Sequence, residues 1–401
     1  MAVYLDWNAT APRHPLVRAA MLEAEECGWA NPSSVHQAGR EARRLQENAR
    51  ERLARLLERS PRDVIFTGGG TEANHLALAG AQLVVTSRIE HPSVVSQATW
   101  LAEQGAHVIF VDVDRDGRVL PEQIEAALHS VLGPPADSTP TDRSEGGFNN
   151  RNTPLVAVMA ANHETGVIQP LEPISVVTRR YGARLHVDAV QWVGRAPLEA
   201  LRCADSVAIA AHKFRGPKGI GALAFDCGWT PLPIGRGGAQ ERGLRPGTVD
   251  AVALAGLDAA LARLDDSLNG YQRAQALAVQ LRHHLRSWAK CEIAFHGSDV
   301  PHLSHVLNLR VQGWKGDELV AALDLEGICI SSGSACSAGT AEPSAVITAM
   351  LGREVATGAV RLSLGEDSSS RDIELLIQAL QRLNILHSAP FSGESAFGDR
   401  S

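Results

Sequence analysis

Lysine is scarce in this chain. Of 38 Lys and Arg in 401 residues, four are Lys: Lys213, Lys218, Lys290 and Lys315. Chemistry that needs an amine nucleophile, such as Schiff-base formation with a carbonyl, has only these candidates, because arginine stays protonated. Lys213 lies in Ala210-Ala211-His212-Lys213-Phe214-Arg215-Gly216-Pro217-Lys218-Gly219, directly after an apolar run. On that segment alone it reads more readily as a solvated loop lysine. Asp188 closes another apolar run, in His186-Val187-Asp188-Ala189-Val190-Gln191. A carboxylate buried at a strand end is costly unless paired. The pyridinium nitrogen of pyridoxal phosphate is one such pair, and a helix cap is the plainer alternative. Gly68-Gly69-Gly70-Thr71-Glu72 brings backbone close to a phosphate at a helix start, or simply makes a tight turn. Each signal is modest. A phosphate cradle, an Asp, and a Lys 25 residues after it are stronger together.

The elements that must position these residues alternate. Strands are expected at 63–67, 83–86, 107–111, 155–161, 185–188, 207–211 and 220–225. Helices are expected at 15–27, 36–59, 71–80, 93–104, 121–132 and 170–181. Short apolar runs alternating with helical patterns mean an α/β fold with a mainly parallel sheet, and ligands sit in the loops after such strands. From about 251 the pattern changes to long helices at 251–267 and 270–288. Strands near 303–311 and 359–364 follow, with helices near 316–326, 342–351 and 370–383. That is a second, α+β domain. Residues 133–153 are polar with three Pro and read as a surface insertion.

Composition excludes several classes. Apolar residues are 44% and the formal charge is −7, so the chain is an ordinary globule with no basic signature for nucleic acid. Six cysteines form no CxxC and no disulfide framework. No apolar stretch reaches membrane-spanning length and no basic leader opens the chain, so a cytoplasmic protein is expected. Asp112-Val113-Asp114-Arg115-Asp116-Gly117 imitates a calcium loop, but position twelve is Gln123 instead of Glu. The fifteen histidines make no HExxH, so no metal is indicated.

Further motifs lie in order along the chain. They include Tyr4-Leu5-Asp6 with Asn8-Ala9-Thr10, Asn31-Pro32-Ser33-Ser34 with His36, Thr71-Glu72-Ala73-Asn74, and Glu90-His91. They continue through Glu164-Thr165-Gly166-Val167, Glu241-Arg242-Gly243-Leu244-Arg245, Gly247-Thr248, Ser331–Cys336 and Glu342-Pro343-Ser344. With the three segments above, the chain resembles the class V aminotransferase group of fold-type I pyridoxal-phosphate enzymes. Within that group it resembles the cysteine desulfurases of the iron–sulfur assembly and nitrogen-fixation type. The resemblance covers nearly everything outside 133–153 and the tail.

The resemblance implies an α/β fold-type I architecture with a mainly parallel seven-stranded central sheet and a smaller α+β domain. It implies a large domain over 14–254, a small domain from 1–13 plus 255–388, and a flexible tail at 389–401. It makes Lys213 the Schiff-base lysine, Asp188 the partner of the ring nitrogen, and Gln191 a donor to the ring oxygen. His91 stacks on the ring and helps proton transfer. Gly70, Thr71, His212 and the partner subunit's Thr248 serve the phosphate. Asn31 and Arg361 bind the substrate, with Arg361 clamping its carboxylate, a task suited to a bidentate guanidinium. Cys336 is the nucleophile, in the small, polar run Ser331–Gly339, where a cysteine can swing.

The implied reaction converts L-cysteine to L-alanine and leaves a persulfide on Cys336. The persulfide then passes to an acceptor protein or small thiol. A homodimer is implied, without direct nucleic-acid or membrane contact. Three positions depart from the family pattern. Ala210 stands where a phosphate-binding Ser is usual, His163 where an Asn lies near the cofactor oxygen, and Pro246 where a Ser is usual. They point to a differently tuned cofactor site. They keep two alternatives open: a selenocysteine lyase or repurposed enzyme for another amino acid, and a non-catalytic scaffold or sulfur-relay subunit.

Overall fold

The computed structural model describes residues 2–135, 153–333 and 342–387. These form two compact units. One comprises residues 8–135, 153–163 and 167–268, the other residues 2–7, 164–166, 269–333 and 342–387.

The first unit is built on a seven-stranded sheet. Its spatial order is Val64–Thr67, Gly221–Phe225, Ser206–Ala210, Arg184–Asp188, Leu155–Met159, Leu83–Ser87 and His107–Val111. Gly221–Phe225 runs antiparallel to both neighbours, and all the other neighbouring pairs are parallel. The expected α/β fold with a mainly parallel seven-stranded sheet is therefore present. Every residue of the six strands from Val64–Thr67 to Leu83–Ser87 in that order is buried; only the edge strand His107–Val111 meets solvent. Burial on both faces is why these strands read as unbroken apolar runs rather than alternating ones.

Helices cover the sheet. Gly70–Leu78 buries Ala73, Leu76, Ala77 and Leu78, joining a core with Ile65, Val84, Ala157 and Leu223. Pro92–Glu103 starts with Pro at its first position, where the missing N–H costs nothing. Gln37–Leu56 stops at Leu56, short of the expected 59, because Glu58 turns into the left-handed region. The two helices expected over 251–267 and 270–288 are present as Ala251–Leu261 and Leu264–Trp288, with the break earlier than expected. Asp250 caps the former by accepting from the N–H groups of Val252 and Ala253, each at 3.0 Å. Ala251–Leu261 packs on Pro15–Cys27 and Gln37–Leu56, which is why residues 255–268 cluster with the first unit. Residues 8–13 cluster there too.

In the second unit, a four-stranded antiparallel sheet runs Ser331–Ser332, Ala359–Ser363, Val306–Val311, Ile293–His296. Val3–Tyr4 pairs in parallel with Ile328–Cys329. Gly316–Leu325 and Ser370–Arg382 supply helical cover, with Leu319, Leu323, Ile373, Leu376 and Ile377 in a core shared with Leu5, Leu307 and Val360. Ile293–His296 carries no clear signal in the sequence, because three of its four residues are only half-buried. Among the described residues, no helix is long and apolar enough to cross a membrane. No group of three metal-ligating side chains converges among them either.

Candidate active site

Three strand ends of the first unit deliver the candidate residues. Asp188 is the last residue of Arg184–Asp188. Lys213 sits in a short 3-10 turn, Ala211–Phe214, immediately after Ser206–Ala210. Gly68 and Gly69 lead from Val64–Thr67 into the helix Gly70–Leu78. All three lie at the carboxyl ends of strands that run in the same direction, where open α/β sheets place their ligands.

Together they bound a pocket of about 160 Å³, lined by Gly70, Thr71, His91, His163, Asp188, Gln191, His212 and Lys213 among others. Eight residues singled out in the sequence are thus brought together. The Lys213 ε-amine donates to the Asn8 carbonyl at 2.7 Å. The Asp188 carboxylate accepts from Asn74 Nδ2 at 2.7 Å and from the Val190 N–H at 3.0 Å. The His91 and His163 rings meet edge to face, 5.5 Å between centroids. Gln191 donates to the Asn8 carbonyl at 3.0 Å and accepts from Arg195 at 2.8 Å.

Burial favours the neutral form of two of the imidazoles. It pushes His212 down to about 4, helped by the adjacent Lys213. Burial also lowers His91, against the pull of Asp188. A second cleft of about 630 Å³ opens on Gly68–Glu72, His75, His212 and Lys218, and shares Gly70, Thr71 and His212 with the first. Gly70 has no room for a side chain, since a Cβ there would stand 2.6 Å from Val190 Cγ2. The backbone is bare at a helix start, where N–H groups favour an anion.

Other expected residues lie elsewhere. Asn31 is exposed in a turn, with Oδ1 accepting from the Ser33 N–H at 2.9 Å, and does not line the pocket. Thr248 is exposed in the loop before Ala251–Leu261 and does not line it either. In the second unit, Arg361 is buried and paired with Asp6 at 2.6 Å. Cys336 lies outside the described residues, as does most of the 133–153 insertion. Asn8, Asn74 and Ser93 were given no role from sequence. Asn74 carried a signal, standing four residues after Gly70 on the helix face that buries Ala73 and Ala77.

The donor set fits pyridoxal phosphate. Lys213 could offer an amine for its carbonyl, Asp188 a carboxylate for its ring nitrogen, His91 a ring to stack on, and Gly70-Thr71 a phosphate cradle. An α/β sheet of this order with such a pocket defines a protein of the fold-type I class. The class-V aminotransferase family model matches residues 3–132 and 141–376, and the chain belongs to that family. Its homology to IscS- and NifS-like cysteine desulfurases is strong. It is 36% identical over 395 residues to an IscS-like cysteine desulfurase of Mycobacterium tuberculosis, covering 94% of this chain and 95% of the relative. The NifS-like protein of Rickettsia africae superposes with a TM-score of 0.82 at 29% identity, over 96% of this chain and 99% of that one. The structure of SspA in complex with cysteine gives a TM-score of 0.73 at 27% identity, over 91% of this chain and 99% of that one.

Proposed function

We propose that this protein is a pyridoxal-phosphate-dependent cysteine desulfurase. It converts L-cysteine to L-alanine and collects the sulfur on Cys336 as a persulfide. The observation that supports this most is the gathering of Lys213, Asp188 and His91 in one small pocket beside a bare glycine cradle. The names of the homologues above point the same way.

Bound pyridoxal phosphate supplies a carbonyl for amines and an electron sink for the substrate α-carbon. The chain's residues supply the rest. Lys213 Nζ would hold the cofactor's carbonyl carbon and, once freed, would serve as the base for the substrate α-proton. Asp188 would keep a proton on the ring nitrogen. His91 would cover the ring, and Gly70 and Thr71 would receive the phosphate. By sequence, Arg361 takes the substrate carboxylate and Cys336 the sulfur. The Cys336 thiolate forms an S–S bond as the substrate C–S bond breaks. The electron pair stays on carbon and is protonated to alanine. The persulfide then passes to an acceptor protein or small thiol. The reading includes a homodimer completed by the partner subunit's Thr248.

Loaded protein is mixed with L-cysteine, and alanine is measured beside intact mass. One alanine per persulfide on Cys336 is expected in a single turnover. Cys336→Ala retains the visible absorbance of bound cofactor and forms no persulfide. Undiminished sulfur release by that variant sinks the assignment. A second reading, action on selenocysteine or another amino acid, is favoured by His163 against the His91 ring. Profiling cysteine, selenocysteine and cysteine sulfinate separates the two.

A further inference from the structure

Behind the pocket wall a line of buried polar groups runs to Asp188. The Ser206 hydroxyl lies 2.8 Å from His186 Nδ1. His186 Nε2 lies 3.0 Å from Asn74 Oδ1. Asn74 Nδ2 reaches Asp188 Oδ2 at 2.7 Å and Ser93 Oγ at 2.8 Å. Ser93 Oγ in turn lies 2.8 Å from His91 Nδ1, which also accepts from the Ser93 N–H at 3.1 Å. His186 and Ser206 are fully buried, and Asn74 is 1% exposed.

The protons on this line have one consistent placement. Asn74 must turn Nδ2 toward Asp188, because its oxygen there would face a carboxylate oxygen. Oδ1 then faces His186, whose Nε2 must carry the proton. Burial pushes His186 down to about 3, so its ring is neutral and has one N–H. Nδ1 is therefore an acceptor, and Ser206 donates to it. The donors point in sequence from Ser206 through His186 and Asn74 to Asp188. At Asn74 the line forks. Ser93 Oγ accepts from Asn74 and gives its own proton to His91 Nδ1. Two donors on Nδ1 leave the proton of neutral His91 on Nε2.

We propose that Asn74 is a positioning residue that orients Asp188 and fixes the His91 tautomer at once, and that His186 and Ser206 hold Asn74 in the one orientation that does so. This inference rests on the cofactor reading above. The helix Gly70–Leu78 therefore has two tasks. Its first residues meet the phosphate, and its second turn governs the far end of the cofactor through Asn74. Hydrogen bonds that all point one way reinforce one another in a dry interior.

The test reads the visible absorbance of the loaded protein against pH, with circular dichroism as the folding check. His186→Leu removes the donor to Asn74. It is expected to raise the absorbance midpoint by about one unit, a tenfold change in proton affinity. The direction follows because a ring nitrogen held less firmly as the cation repels the neighbouring cofactor proton less. His186→Gln, whose amide can donate to the same oxygen, is expected to return within about 0.3 units of the starting value. Ser206→Ala is expected to move the midpoint the same way by less. Equal shifts in the Leu and Gln variants mean packing alone and overturn the proposal, as does no shift in either. If the Leu variant does not fold, Ser206→Ala decides, and an unmoved midpoint overturns the proposal. A starting protein that shows no cofactor band overturns the cofactor reading itself. A band that no variant moves overturns only the relay.

Discussion

The ε-amine of Lys213 donates to the backbone carbonyl of Asn8, 205 residues away in sequence. Gln191 donates to the same carbonyl. Asn8 also reaches outward, its side-chain amide donating to the His163 carbonyl at 3.1 Å. One buried residue near the start of the chain thus ties together three strand-end loops of the first unit. Such a bond narrows the choice of rotamers open to the Lys213 side chain.

Lys213→Ala is expected to bind pyridoxal phosphate without the covalent link, so the cofactor washes out on dialysis. Turnover of L-cysteine falls by about 10²–10⁴-fold, the usual worth of a proton-transfer group. Absorbance before and after dialysis, with alanine release, checks both. Retention of the band through dialysis would place the covalent link on another residue.

Gly70→Ala is expected to weaken cofactor binding. The added Cβ would press on Val190 Cγ2 at 2.6 Å, and Val190 follows Asp188 in the same pocket wall. Overpacking of this kind costs about 1–3 kcal/mol, or roughly 5- to 150-fold in Kd. Fluorescence titration of stripped protein with pyridoxal phosphate measures it. A Kd equal to that of the unaltered protein would remove Gly70 from the cradle.

Glu90→Gln is expected to flatten the pH dependence of stability. Burial pushes the Glu90 carboxyl up to about 8, and the nearby Asp188 charge adds to the rise. Its folded value lies above its unfolded one, so the folded state binds the extra proton between them. The stability tied to that proton is whole below about 4.5 and is lost as pH climbs toward about 8. Glutamine has no proton to lose. Thermal unfolding of the loaded protein at several pH values should show the variant gaining on the unaltered protein as pH rises. The gain is on the order of a few kcal/mol by linkage. Parallel curves would show that Glu90 does not titrate in this window.

Glu241→Leu is expected to cost about 3–5 kcal/mol, because it removes the buried carboxylate partner of the buried Arg50 guanidinium and leaves it the Val64 carbonyl and the half-exposed Glu47. Glu241 accepts from Arg50 at 2.7 Å, from Gln46 at 2.7 Å and from the Phe66 N–H at 2.9 Å. Its side chain is wholly buried, and that of Arg50 nearly so. Pairing Glu241→Leu with Arg50→Met should recover most of the loss in urea unfolding. Additive losses would show that the two do not act as a pair.

The α/β class, the mainly parallel sheet and the three strand-end segments were legible in the sequence. Strands buried on both faces must be continuous apolar runs, and that pattern is local. Lys213, Asp188 and Gly70-Thr71 were legible for a similar reason, since each stands at the end of such a run. The reversed direction of Gly221–Phe225 left no local mark, because an antiparallel strand in a buried sheet is as apolar as a parallel one. Ile293–His296 was hidden by its half-exposed faces. The partners of the site were hidden most deeply. Asn8, Asn74 and Ser93 are small polar residues that a surface turn or helix would also use. Only folding brings Asn8 to Lys213 and Asn74 to Asp188, 114 residues apart. The sequence by itself singled out the amine, the carboxylate and the glycines that we propose do the chemistry. The tertiary structure decided what holds them, because a hydrogen bond across the fold depends on where the chain returns and not on what surrounds a residue in line.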